Sequence, residues 1–270
     1  MRGMAVLGEC RLCLSRDVPL LASHILPQWA YRRARNECPP PGLSPDPVQF
    51  RDGFALQTSK EAREHLLCGA CEQRLSVDEG HVAGLAYQSD GTLGLKVSPE
   101  SLIAVPHQRD PHVRRASIAG ERPSSIARFA ASVFWRAHVA RQPKVDGLKL
   151  WNPQAEALRR FVLGIAALPN RMCINLHVLA TGESLETVHS TTTATPCTAK
   201  KGDNGIHQFV VAGLLFNLMT GDEAIPGVCL ACGSDPQVLF QDWRSVRLLA
   251  NMTANILEAQ PKGALARRRT

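Results

Sequence analysis

The chain has 270 residues, 31 of them Lys or Arg and 24 Asp or Glu, for a formal charge of +7. A hydrophobic fraction of 44% with 20% charged residues excludes a disordered or collagen-like chain, and the length fits one large or two modest domains at roughly 100–200 residues each. The longest apolar run, Phe209 to Met219, has 11 positions and includes Asn217; that is short of the ~18 needed to span a bilayer. Residues 1–10 hold no apolar core for a signal peptide, so the sequence reads as soluble, cytoplasmic and without a membrane partner.

In chain order, Glu9 to Leu14 suits a tight knuckle between two strands. Pro19 to Pro27 reads as an apolar strand closed by proline, followed by a short helix over Gln28 to Arg35. Five prolines between Asn36 and Gly53 mark a loop. A helix is expected from Cys71 to about Leu85. The polar, basic stretch 106–123, with Arg109, Arg114 and Arg115, reads as a connector. Beyond it, Ser124 or Ser125 caps a helix reaching Arg141, with Ile126, Phe129, Val133 and Phe134 on one face. Pro153 opens a second helix toward Leu168. Strands are expected over Met172 to Leu179, Glu186 to Thr193, Phe209 to Met219 and Val238 to Phe240, with hairpin punctuation at Lys201 to Gly205. A helix from Asp242 to about Leu257 precedes a basic tail over 262–270. The sum is an α+β protein: a zinc module over 1–105, a connector over 106–123, and an α+β domain of helices and mostly antiparallel strands over 124–261.

Six of the nine cysteines form three Cys-x-x-Cys pairs: Cys10/Cys13, Cys68/Cys71 and Cys229/Cys232. In a chain without an export signal such pairs point to metal before disulfides. Structural zinc takes four tetrahedral ligands, and each Cys-x-x-Cys turn offers two thiolates on one side of a knuckle. The 54 residues between Cys13 and Cys68 bulge out at low cost, because closure entropy grows only logarithmically with length. A Cys10/Cys13/Cys68/Cys71 zinc site is therefore expected. The third pair has no paired partner; Cys173, Cys197 or His207 can complete a second site, or the turn carries two plain thiols. Cys38 is incidental.

The order Cys-x-x-Cys, Ser23-His24-Ile25-Leu26-Pro27, loop, Leu66-Leu67-Cys68-Gly69-Ala70-Cys71-Glu72 resembles the zinc-stapled branch of the HNH endonucleases, whose ββα-metal fold lies within a treble-clef knuckle. More narrowly it resembles a bacterial group labelled HNH-like, to which the Ser125–Arg141 helix with Phe134-Trp135-Arg136 is also similar. The likeness covers about residues 8–80. It implies that the four cysteines hold structural Zn2+ and that His24 is the general base activating water. It also implies a catalytic Mg2+ or Mn2+ that stabilises the scissile phosphate. Ser23 stands where the family has an aspartate ligand, and Glu72 where it has Asn or His. The middle asparagine has no counterpart in Ser59 to His65.

Glu72 is then the metal-ligand candidate, because a carboxylate suits a hard cation and a serine hydroxyl does not. Glu79, seven residues on, shares its helix face about 10.5 Å away; Glu79, Ser23 and His65 are the accessory candidates. Acidic residues near a helix N-terminus are equally accounted for by the dipole. Arg32, Arg33 and Arg35 follow the Ser-His-Ile strand and are candidate phosphate contacts, since guanidinium forks match phosphate oxygens. The leading expectation is a divalent-metal-dependent DNA endonuclease with His24 as base. The alternative is a catalytically silent treble-clef module that binds nucleic acid or a protein.

Overall fold

A computed structural model of the chain describes residues 5–35, 46–51, 53–88, 90–97, 101–104, 113–141, 148–180, 196–224, 228–231, 235–263 and 265–266. They form a mixed α+β fold of five α-helices and three sheets whose strand pairs are mostly antiparallel. The elements in order are β1 (Val6–Gly8), β2 (Val18–His24), α1 (Gln28–Arg33), β3 (Val48–Arg51), β4 (Phe54–Gln57), β5 (Arg63–Cys68) and α2 (Gly69–Leu85). There follow β6 (Ile103–Ala104), β7 (Arg114–Ser117), α3 (Pro123–Val139), α4 (Asn152–Val162), β8 (Met172–Ala180), β9 (Cys197–Lys200), β10 (Ile206–Val211) and β11 (Leu214–Thr220). The chain ends with β12 (Gln237–Asp242), α5 (Arg247–Glu258) and β13 (Gln260–Lys262).

The first sheet has the order β1-β2-β5, with β2 antiparallel to both neighbours. The second is seven-stranded, β6-β7-β12-β8-β11-β10-β9, and only β12 and β8 run parallel. The third joins the β3–β4 hairpin to β13. One hydrophobic cluster runs from Leu12 and Leu67 beside the cysteines, through Leu75 and Val82 of α2, to Phe129 and Phe134 of α3 and Ile174 and Phe216 of the large sheet. Its centre is aromatic: Phe209 and Phe216 stack at 4.9 Å, and Phe134 meets Phe209 edge-on at 5.0 Å. Helix α3 is buried nearly all round, from Ser125 to Ala137, as expected for a helix lying between α2, α4 and a sheet rather than at the surface.

Several expected elements change at their edges. The apolar run Phe209 to Met219 is not one strand. It turns at Ala212-Gly213, where φ is 44° and 77°, so β10 and β11 pair as a two-residue hairpin with Val211 opposite Leu214. Positive φ at both central residues is what the twist of such a turn demands. A Cβ on Gly213 would sit 2.2 Å from Tyr87 Cδ2, so that glycine also lets Tyr87 pack on the turn. The expected strand 186–193 lies outside the described residues.

Residues 48–51, within the proline-rich stretch, pair with β4, and Arg114 to Ser117 of the basic stretch form β7 against β12. Lys262, where the tail was expected to begin, belongs to β13 and lies with Nζ 3.3 Å from the Phe54 ring centroid. The helices expected to end at Arg141 and Leu168 stop at Val139 and Val162. No helix among the described residues is long and apolar enough to cross a membrane.

Candidate metal centre and the His24 cluster

Cys10, Cys13, Cys68 and Cys71 bring their sulfurs within 4.8 Å of one another, the one group of three or more His, Cys, Asp or Glu among the described residues that can hold a metal. Cys13 and Cys68 are 3.8 Å apart. Four thiolates about 2.3 Å from a tetrahedral zinc lie ~3.8 Å from each other, so the donor set fits structural zinc. Local backbone explains the arrangement. Leu14 takes φ 64°, and its N–H returns to the Cys10 carbonyl while Cys10 N donates to Ser15 O, closing the first knuckle. Cys68 is the residue before α2 and Cys71 lies in its first turn, where the helix dipole favours thiolate.

The two knuckles are laced together: Cys68 N donates to Cys10 Sγ at 3.3 Å and Arg11 N to Leu66 O at 2.9 Å. Arg159 of α4 also donates to Leu12 O at 2.7 Å. Burial raises the Cys71 and Cys10 thiols. At Cys13 burial also acts upward, but hydrogen bonds from Ser15, Cys10 and Cys71 outweigh it and bring the thiol to about 6. The buried thiols need a cation to ionise, and a bound zinc would supply one. Of the third pair, Cys229 is buried and Cys232 lies outside the described residues, as does Cys38.

His24 ends β2, and its Nε2 lies 2.7 Å from Glu61 Oε2. Both side chains are mostly buried. Glu61 is held in place by its neighbour, for Ala62 O accepts from Ile25 N at 2.9 Å and Ala62 N donates to Tyr31 Oη at 3.1 Å. The Tyr31 ring is 6.0 Å from the imidazole, and burial raises its hydroxyl to about 12. Arg136, 1% exposed, donates to the His24 carbonyl at 2.8 Å and to Glu79 Oε1 at 2.7 Å. Nearer the start of α3, buried Asp78 of α2 accepts from Ser125 and takes both Arg128 Nε and Nη2 at 3.0 Å.

The expected accessory residues separate. Ser23 is buried and its hydroxyl donates to Leu21 O at 3.4 Å within its own strand. His65 is exposed in register with Ala22. Glu79 is engaged by Arg136, while Glu72 keeps one buried oxygen, Oε1, without a hydrogen-bond partner. No three of these donors meet, so the residues described do not assemble a hard-cation cage. Among the arginines, Arg33 donates to Tyr87 O, Ala83 O and Gln88 Oε1 at 2.7, 2.7 and 3.0 Å and lies over Trp29. Arg32 and Arg35 are exposed, Arg32 bonded to Gln28 and Arg35 4.0 Å from Glu61 Oε1.

Glu61 and Tyr31 were not singled out from the sequence, and Arg136 was named only within the helix that shares the resemblance, with no site role. A partial signal for Glu61 existed: with Leu20 opposite Cys68, counting outward along the antiparallel pair brings His24 opposite Glu64, and a bulge between Leu21 and Ala22 that the sequence does not announce moves it to Arg63, two residues from Glu61. No protein-family model, curated protein or solved structure matches the chain.

Proposed function

We propose that this is a zinc-stapled, HNH-like protein that acts on nucleic acid, with His24 as the general base of phosphodiester hydrolysis on DNA. The observation that carries the reading is the 2.7 Å His24–Glu61 pair at the far end of the β2–β5 strand pair from the four-cysteine cluster. A carboxylate accepts and does not donate, so Nε2 carries the proton and Nδ1 keeps the lone pair that can take a proton from water. Glu61 thus selects the tautomer and orients the ring, the relation a catalytic base needs with its orienting acid. Arg35, exposed and 4.0 Å from Glu61 Oε1, and Arg32, exposed three residues before it, supply positive charge for the phosphate. The described carboxylates and histidines do not converge on a divalent ion.

One observation favours a second reading, binding without hydrolysis. The Ser23 hydroxyl is turned into its own strand, Glu64 opposite it accepts from Arg141 N, and Glu61 and Glu79 are paired with His24 and Arg136. Both readings are tested by incubating plasmid and single-stranded DNA with Mg2+ or Mn2+ and with wild type or His24→Ala, purified identically. Cleavage lost only in His24→Ala supports the hydrolase. Equal cleavage by both, or none by either while DNA is still bound, leaves the binding module.

A further inference from the structure

We infer that Arg136 is the positioning residue of the His24 site, fixing the backbone at the end of β2 so that the imidazole meets Glu61. The inference rests on His24 being the reactive group of the proposed function. Arg136 is a fully buried cation in the last turn of α3, flanked by Val133, Phe134 and Ala137, all buried. Burying an ion pair gains little stability over well-packed apolar side chains, so folding alone gives little reason for an arginine there.

Its geometry supplies one. The guanidinium spans two acceptors from separate elements: Nη1 holds the His24 carbonyl and Nη2 holds Glu79 Oε1 of α2. Ser132, one turn earlier, adds its carbonyl and hydroxyl at 3.4 Å. A planar fork can hold two such acceptors in fixed relative directions, whereas an ammonium is a single point of charge.

His24 is therefore gripped from two sides. Glu61 takes the ring, and Arg136 takes the peptide that carries it. Immediately after His24 the chain leaves the strand through Ile25 and Leu26, both buried, and Ile25 N is tied to Ala62 O. With the peptide on one side and the Glu61 segment on the other both anchored, little freedom remains for the imidazole. The clamp also runs across the fold, since Arg136 is 112 positions from His24. Helix α3, which packs on the large sheet, is thus in direct contact with the candidate base.

The test uses the full chain with the double variant Arg136→Met/Glu79→Gln, which removes both charges and keeps apolar volume, and with Arg136→Lys. Three quantities are read: zinc per chain, the melting temperature, and the 15N–1H signal of His24 Nε2–H, assigned by its loss in His24→Ala. The double variant is expected to keep its zinc and its melting temperature while the His24 Nε2–H signal broadens or disappears. Cleavage should fall about 100-fold through kcat with KM little changed, the effect of misaligning a catalytic group by ~1 Å. Arg136→Lys should lose the signal as well.

A folded, zinc-bound variant that retains the wild-type His24 signal overturns the inference. So does loss of folding in both variants, which would make Arg136 structural. Should wild type not cleave DNA, the hydrolase reading falls while the NMR signal still decides the role of Arg136.

Discussion

Cys13 and Cys68, 55 positions apart in the chain, bring their sulfurs to 3.8 Å, joining the loop after β1 to the start of α2. That contact is the staple on which β2, β5 and the His24 site are hung. Structural zinc contributes about 10–16 kcal/mol in small zinc modules, as much as the ~5–15 kcal/mol net stability of a typical domain. Cys68→Ser is therefore expected to lose its zinc and to be insoluble or to melt far lower than wild type. Metal analysis and a thermal melt check this, and an unchanged melting curve would remove the four-cysteine site.

The arginines after the Ser-His-Ile strand divide into two kinds with opposite expected phenotypes. Arg33 closes the last turn of α2 by donating to Ala83 O and Tyr87 O, so Arg33→Gln should cost about 2–3 kcal/mol, the worth of charge-assisted hydrogen bonds, and leave DNA binding unchanged in the folded fraction. Arg32→Gln/Arg35→Gln should leave the melting temperature nearly unchanged and lower the salt slope of DNA binding by about 1–2, at ~0.9 per phosphate contact. Urea melts and binding isotherms at several salt concentrations separate the two. An unchanged slope would take Arg32 and Arg35 out of the interface.

The large sheet carries its own pH signature. Burial holds His177 down to about 4, with Gln241 opposing, and burial together with His138 holds His207 to about 4. Both rings are neutral in the folded state, and their unfolded value is ~6.5. Above pH 6.5 neither state binds the extra protons and stability is complete. As pH falls from 6.5 toward 4 the unfolded chain protonates first, so stability declines, by on the order of 3 kcal/mol per histidine, and levels off below 4. His207→Gln should flatten that decline. A denaturation midpoint independent of pH between 7 and 4 would contradict it.

The four-cysteine cluster and the order of elements were legible because they depend on local spacing: two Cys-x-x-Cys turns, a proline after β2, and a 3.6-residue apolar pattern in α3. The β10–β11 turn was not, because Ala212-Gly213 sits inside an unbroken apolar run and nothing polar marks the reversal; the turn is made by backbone conformation alone. Arg136 was visible only as part of the Phe134-Trp135-Arg136 likeness, and its pairing was hidden for a different reason. It occupies a helix that reads as core, and its partners, His24 and Glu79, are 112 and 57 positions away, so only the packed fold shows that the buried cation is paired. Asp78 and Arg128 follow the same rule across α2 and α3.

Glu61 gives the sharpest test of the candidate base, because it is changed without touching the imidazole. In Glu61→Gln the side-chain amide can offer a proton to Nε2 instead of accepting one. The ring then moves its proton to Nδ1 and loses the lone pair that would face water. Shape and volume are retained, so zinc content and melting should stay close to wild type. Loss of the carboxylate also frees Arg35, which lies 4.0 Å from it, so DNA affinity should hold or rise slightly. If His24 is the base, hydrolysis should nevertheless fall by about 10²–10⁴-fold, the range for losing general-base catalysis or its orienting carboxylate. Single-turnover cleavage under saturating DNA isolates that chemical step from binding. A wild-type rate in Glu61→Gln would show that the pair does not serve the reaction and only ties the segment before β5 to the end of β2.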